Sequence, residues 1–270
     1  MLNQMNEKKL IFFDIDGTLL TETKDHSVPE STTRALNLLR KNGHICIINT
    51  GRPYACLDTT IKSIIVDGYI CGCGTYIRIG DEVLLSHHIE KDLCYRIIRE
   101  LEACHLEWNL EGENALYYSE KPYKTFLGAE ALDLKSKIPG NIHAVSEKDF
   151  DKISFDKFIM ACTPESDFEG FHKAFKDELT FIDRSGFYEL VPKGFSKATG
   201  MKFLEDYLNV PHKNTIAFGD SSNDIPMFEY AETAVLMGGA KPELQKYATF
   251  VTTKITEDGI YNACKKLGLI

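Results

Sequence analysis

No stretch of this 270-residue chain stays apolar for the ~18 residues that a membrane-spanning helix needs. The amino-terminal MLNQMNEKKL likewise lacks the apolar core of a secretion signal. Positive charge is in short supply as well. There are 31 Lys and Arg against 40 Asp and Glu, a formal net charge of −9, whereas nucleic acid binding leans on basic side chains that neutralise phosphates. These shortages point to a cytoplasmic protein with neither a membrane nor a nucleic acid as its partner.

Paired-cysteine motifs are missing too. The eight cysteines stand at irregular intervals, mostly inside apolar runs such as HICIIN, and read as reduced core residues. Cys71 and Cys73 are spaced C-x-C, with no second Cys or His pair placed to complete a zinc site. The absence of G-x-x-x-x-G-K-[ST] removes the usual nucleotide-triphosphatase reading. CGCGTY lacks the last glycine of a dinucleotide fingerprint and reads as a tight turn. DIDG carries its glycine too early for a calcium-binding EF-hand loop.

What the chain does have is a 43% hydrophobic composition, enough to bury the core of one large domain or two modest ones. Short apolar runs alternate with helical patterns, the mark of β-α-β units and a parallel sheet. LIFF reads as the first strand. SVPESTTRALNLLRKNG reads as a helix, with a capping box from Ser27 to Glu30 and Gly43 as its stop. HICIIN is the next strand, a helix is expected from Pro53 to about Ser63, and IIVDGYICG returns to the sheet.

From about residue 83 the texture changes. One long helical pattern, IEKDLCYRIIRELEACH, precedes strand-like ALYYS, IHAV and KFIMAC, a helix over ESDFEGFHKAFKDEL, and strands TFIDRS and FYELV. After residue 190 the β-α alternation resumes, through FSKATGMKFLEDYLN, TIAF, DIPMFEYA, TAVLM, PELQKYA, TFVTT and DGIYNACKKLG. The expected architecture is an α/β protein with a Rossmann-like parallel sheet core built from residues 1–82 and 186–270. A separate α+β domain, residues 83–185, is inserted in its middle. Trp108, Tyr117, Tyr118, Tyr123 and Phe126 read as core of that smaller domain.

The chemistry sits at the ends of the core strands. LIFF runs into Asp14 and Asp16, ICIIN into Thr50, Gly51 and Arg52, and TIAFG into Asp220, Asn223 and Asp224, while Lys197 opens a helix. In a parallel open sheet these strand ends share one edge, where ligand crevices form. Carboxylates clustered there repel one another unless a cation joins them. An all-oxygen ligand set suits Mg²⁺, and Mg²⁺ invites phosphate. Lys197, the Thr50 hydroxyl, the amides beside Gly51 and the helix end at Ser196 and Lys197 would hold the phosphoryl oxygens. Asp14 is the candidate nucleophile, since a carboxylate can form an aspartyl phosphate. Asp16 is the candidate proton donor to the leaving oxygen, and Gly17 turns the chain away. Arg52 is open between a carboxylate partner and a substrate contact.

DIDGTLL, INTGR, Lys197 in FSKATG, and GDSSND occur in the order of the four motifs of the haloacid dehalogenase superfamily phosphatases, which the chain resembles over essentially its whole length. The insert between the second and third motifs is similar to that of the Cof-like branch. The resemblance implies Mg²⁺ held by Asp14, the backbone carbonyl of Asp16, and Asp220. Asp224 would orient the metal's ligands, with Asn223 a neighbour of the site. Cys73-Gly74 stands where that branch usually has Asn-Gly, and MGGA at 237–240 where it has MGNA. The expected function is Mg²⁺-dependent hydrolysis of a small phosphorylated metabolite, a sugar phosphate or phosphorylated cofactor. The alternatives are a non-catalytic module that binds a phosphorylated ligand, and a phosphomutase. The insert is expected to act as a cap that chooses the substrate, with hinges around GDEVL and DRSGFYEL.

Overall fold

The computed structural model describes residues 7–23, 26–184 and 186–270. They form two compact units. The first contains the chain up to Gly51, Thr59–Leu84 and Ser196–Ile270; the second contains Arg52–Asp58 and Leu85–Phe195.

In chain order the first unit begins with β1 (Leu10–Phe13), α1 (Glu30–Lys41), β2 (Ile45–Asn49), α2 (Thr59–Lys62), β3 (Gly68–Cys71), β4 (Tyr76–Ile79) and the start of β5 (Glu82–Ser86), whose last two residues fall in the second unit. All four residues of β1 and all five of β2 are buried, which is why they read as unbroken apolar runs rather than alternating ones. Helix α1 buries Ala35, Leu36 and Leu39, on the stripe expected from their spacing. The expected capping box does not form. Ser27 is tied into the preceding loop, its N–H donating to Thr21 Oγ1 at 3.0 Å, and the helix starts after Pro29 without a side-chain cap. The single helix expected over 53–63 is broken into a 3₁₀ turn, Tyr54–Cys56, and the short α2.

The second unit follows with α3 (Lys91–Ala103), β6 (Glu107–Glu111), β7 (Leu116–Ser119), α4 (Leu127–Lys137), β8 (Ile142–Val145), β9 (Lys157–Ala161), α5 (Phe168–Phe175), β10 (Leu179–Asp183) and β11 (Tyr188–Pro192). Its sheet has the order β10-β11-β9-β6-β7-β8. One face carries Trp108, Leu110, Phe158, Met160 and Leu190 into a core closed by Ile97, Ile98 and Leu101 of α3 and Phe171 and Phe175 of α5. Phe126, expected in that core, is 47% exposed and meets Phe187 edge to face. The unit reaches Phe195 rather than ending at residue 185, because β11 pairs with both β9 and β10. It takes in Arg52–Asp58 because Cys56 packs with Leu116, Ala131 and Ile142. Ser185, within one expected hinge, lies outside the described residues.

The first unit is completed by α6 (Lys197–Leu208), β12 (Thr215–Gly219), α7 (Ile225–Tyr230), β13 (Thr233–Gly238), β14 (Phe250–Lys254) and α8 (Gly259–Lys266). PELQKYA forms a 3₁₀ segment, Pro242–Tyr247, instead of an α-helix. The strand order is β14-β13-β12-β1-β2-β3-β4-β5, parallel from β14 through β3, with β4 antiparallel to β3. From β1 the chain moves outward to β2 and β3, then returns to lay β12, β13 and β14 on the other side of β1. That reversal between β1 and β12 opens a crevice at their carboxyl ends. Among the described residues no helix is long and apolar enough to cross a membrane, and all eight cysteines are free, with only Cys162 exposed.

Candidate active site

The crevice is built from the residues that follow β1 and β12. Phe13 and Phe218 are paired across the two strands, and the Asp14 N–H donates to the Phe218 carbonyl at 2.9 Å, so Asp14 is held at the end of the ladder. It is 5% exposed. Gly17 turns away at φ +74, and a Cβ there would stand 2.4 Å from Asp220 Oδ2. Only glycine admits that close approach. Thr18 Oγ1 donates to Asp220 Oδ1 at 3.1 Å and aims it inward.

Lys197 enters as the first residue of α6. Ser196 caps that helix, its side chain accepting from the Thr199 N–H, and Lys197 points inward with 1% exposure. Its ammonium donates to Asp14 Oδ1 at 2.5 Å and to Asp224 Oδ1 at 2.6 Å. The other oxygen of Asp224 accepts from the Asp220 and Ser221 N–H groups at 2.9 and 3.0 Å. Asp224 therefore fixes both the lysine and the loop that carries Asp220. It reaches that position because Gly219 is bare, since a Cβ there would lie 2.5 Å from the Asp224 carboxyl. Carboxylate oxygens of Asp14, Asp220 and Asp224 all come within 4.8 Å of one another.

With that geometry in hand, the chain matches the haloacid dehalogenase-like hydrolase family over residues 11–264. It belongs to that family. The YkrA protein of Bacillus subtilis (strain 168) is 29% identical over 271 residues, covering 98% of this chain and 99% of its own. Among solved structures, the subclass IIB sugar phosphatase BT4131 is similar with a TM-score of 0.83 and 27% identity, over 97% of this chain and 100% of that one. The phosphatase BT1666 from Bacteroides thetaiotaomicron is similar with a TM-score of 0.83 and 26% identity, over 100% of this chain and 98% of that one.

The electrostatics of this haloacid dehalogenase-like hydrolase follow from three acids sharing one buried lysine. Burial pushes the Asp14 carboxyl up to about 7, Lys197 opposes the rise, and the charges of Asp224 and Asp16 add to it. Burial also pushes Asp220 up to about 8, helped by Asp14 and Asp224. For Lys197 burial works against the charge, but Asp14 and Asp224 outweigh it and hold the ammonium firmly protonated. Two unit charges ~4 Å apart interact by about 4 kcal/mol at the screening usual near a protein surface, so a second cation would relieve considerable strain. The donor set is carboxylate oxygen alone, which fits a hard divalent ion such as Mg²⁺.

The other expected residues are distributed unevenly. Asp16 forms an isolated bridge with Leu20; its charge is felt by Asp14, but its carboxylate is not one of the three that converge. Thr50 is buried, its N–H donating to Ile70 and its carbonyl accepting from Cys73, which sets the loop leading to Gly51. Arg52 belongs to the second unit, where it acts electrostatically on Glu111 and Glu130. Asn223 turns to Ser221, accepting from its hydroxyl at 2.6 Å.

Cys73 adopts φ 54. That left-handed conformation favours Asn, whose short polar side chain can bond locally. Two site residues escaped sequence reasoning. Thr18 is one. The other is Asn49, fully buried, which donates to the Lys197 carbonyl at 3.2 Å while its Oδ1 has no hydrogen-bond partner. An asparagine closing the otherwise apolar ICIIN was the available signal.

Proposed function

We propose that this hydrolase is a Mg²⁺-dependent phosphomonoesterase that acts on a small phosphorylated metabolite through a phosphorylated Asp14. The observation that carries the reading is the convergence of Asp14, Asp220 and Asp224 around the buried ammonium of Lys197. Such a set is costly to bury unless a further cation completes it. Asp14 and Asp220, with the Asp16 carbonyl, would hold Mg²⁺, and Asp224 would fix their positions. Bound there, the metal supplies the charge that lets a carboxylate approach a phosphate.

The chain's own groups then divide the work. Lys197, the Thr50 hydroxyl and the amides beside Gly51 hold the phosphoryl oxygens. Asp14 attacks phosphorus as the ester bond breaks, and Asp16 gives its proton to the departing alkoxide, releasing the alcohol. Water then loses a proton to Asp16 and attacks the same phosphorus, freeing Asp14 and phosphate. The second unit, as the inserted domain, serves as the cap that chooses the leaving group and excludes water. A sugar phosphate or a phosphorylated cofactor fits this chemistry, and a sugar phosphatase among the similar structures favours the former.

Phosphate release from a panel of phosphorylated metabolites, with Mg²⁺ and then with chelator, tests the proposal. Release that stops with chelator and with Asp14→Asn supports it. Isomerisation of the substrate without phosphate release would make the protein a phosphomutase, and saturable binding without turnover would make it a non-catalytic module.

A further inference from the structure

Asn49 ends β2, whose other residues are Ile45, Cys46, Ile47 and Ile48. It is wholly buried, and its amide reaches two helices of the same unit. Nδ2 donates to the carbonyl of Lys197, the first residue of α6, at 3.2 Å, and to the sulfur of Met227, on α7, at 3.7 Å. Neither a carbonyl nor a thioether can donate, so the nitrogen has to be the atom that faces them. The oxygen is thereby turned away, and among the described residues Oδ1 has no hydrogen-bond partner.

Folding alone gives little reason for this arrangement. A carbonyl in the first turn of a helix already has an intrahelical partner four residues on, so that of Lys197 does not depend on the amide. An orphaned buried acceptor, in contrast, bears the full cost of its lost water. A leucine branches at the same carbon as asparagine and would bear none of it.

What the amide does is join the elements that carry the phosphate cradle. The end of β2 leads directly into Thr50, α6 opens with Lys197, and α7 follows directly on Asp224, whose Oδ1 takes the Lys197 ammonium at 2.6 Å. Packing brings α6 close without indexing it. A Cβ on Gly74 would stand 2.5 Å from the Ser196 carbonyl, and one on Gly200 would stand 2.6 Å from Ile70 Cγ2, so bare glycines let the first turn close on β3 and the turn after it. Apolar contact of that kind has no direction and lets a helix slide or rotate slightly. A hydrogen bond at the root of Lys197 has a direction and opposes both movements.

We propose that Asn49 is a positioning residue for phosphoryl transfer, which fixes Lys197 and, through Met227, Asp224 against the strand end that carries Thr50. The proposal rests on the phosphatase reading above and adds to it a residue that acts only through others.

The inserted unit holds a matched comparison. Asn109 is equally buried, donates at 3.2 Å to the carbonyl of Leu127, the first residue of α4, and likewise has an unpartnered Oδ1 among the described residues. The bond is the same, but the helix it holds opens with an apolar side chain that has no part in phosphate chemistry.

The test compares Asn49→Leu with Asn109→Leu in the full-length chain with Mg²⁺, on an alkyl and an aryl phosphate, well below the melting transition of each variant. Asn49→Leu should lower kcat roughly 10- to 100-fold, the scale of a slight misplacement of a catalytic group. The loss should be equal on the two esters, because Lys197 acts on the phosphoryl group they share, and KM should move much less. Asn109→Leu should keep its kcat on the aryl ester. Where leucine is too bulky to fold, Asn49→Ser and Asn109→Ser, whose hydroxyls end one bond short of the amide nitrogen, are compared in the same way.

An unchanged kcat at position 49, an equal loss at both positions, or a loss confined to KM would make Asn49 a packing residue and overturn the proposal. Failure of wild-type protein to hydrolyse either ester would instead sink the phosphatase reading itself.

Discussion

Replacing Lys197 with methionine removes the one ammonium bonded to Asp14 and Asp224 while keeping most of the side-chain volume. Lys197 is 1% exposed and Asp224 is fully buried, so solvent screening does little to soften the loss. Breaking a buried pair by deleting one partner costs about 3–5 kcal/mol. For a protein of this size each kcal/mol lowers the melting temperature by about 2–4 °C, which gives a fall of roughly 6–20 °C. The penalty depends on pH, because the carboxylates left behind can neutralise themselves by binding protons. Asp14 and Asp220 already hold protons up to about 7 and about 8, and loss of the lysine charge raises both. Thermal unfolding in chelator should therefore show a large deficit near about pH 8 and a smaller one near about pH 5.5. Mg²⁺ should recover part of it at the higher pH, without restoring turnover. A variant as stable as wild type at the higher pH without metal would refute the electrostatic account of the site.

Asp16→Ala should lower kcat on an alkyl phosphate by ~10²- to 10⁴-fold and much less on an aryl phosphate, whose leaving group needs little protonation; equal losses on the two would remove Asp16 from the proton-transfer role. In metal-free protein the folded state holds protons on Asp14 and Asp220 that the unfolded chain, near 3.8, has released. Stability from these groups should fall as pH rises from about 4 to about 8. Mg²⁺ must displace those protons, so its melting-temperature increment should grow across the same window; an increment independent of pH would contradict the assignment. Gly17→Ala forces a Cβ to within 2.4 Å of Asp220 Oδ2 at a positive φ, and should weaken Mg²⁺ binding, measured by calorimetry, as well as stability.

Much of the site was legible because its chemistry interrupts the pattern that folds the chain. Acids at the ends of LIFF and TIAFG have no reason to follow buried strands unless the strand end is itself a site. The inserted unit was less legible, and for physical reasons. In α4 the apolar residues are spread around the helix, so that Leu127 and Ala131 are buried while Leu132 is 59% exposed, and no stripe marks it. The β4–β5 hairpin was missed because β5 is mostly exposed. Lys157 opens the strand-like run KFIMAC, and nothing local marks it as buried. Only its pairing with Glu111 and Glu189, distant in sequence, reveals a buried charge. The membership of Arg52–Asp58 in the second unit likewise depends on the packing of Cys56, which no local pattern encodes.

The central claim is that phosphorus is transferred first to Asp14 and then to water. Hydrolysis of a phosphorothioate monoester made chiral with two oxygen isotopes, in water carrying the third, tests it most directly, because the thiophosphate released is chiral and each in-line displacement inverts the configuration at phosphorus. Transfer through Asp14 involves two displacements and predicts net retention. Net inversion would mean that water attacks the substrate directly, and would contradict the account.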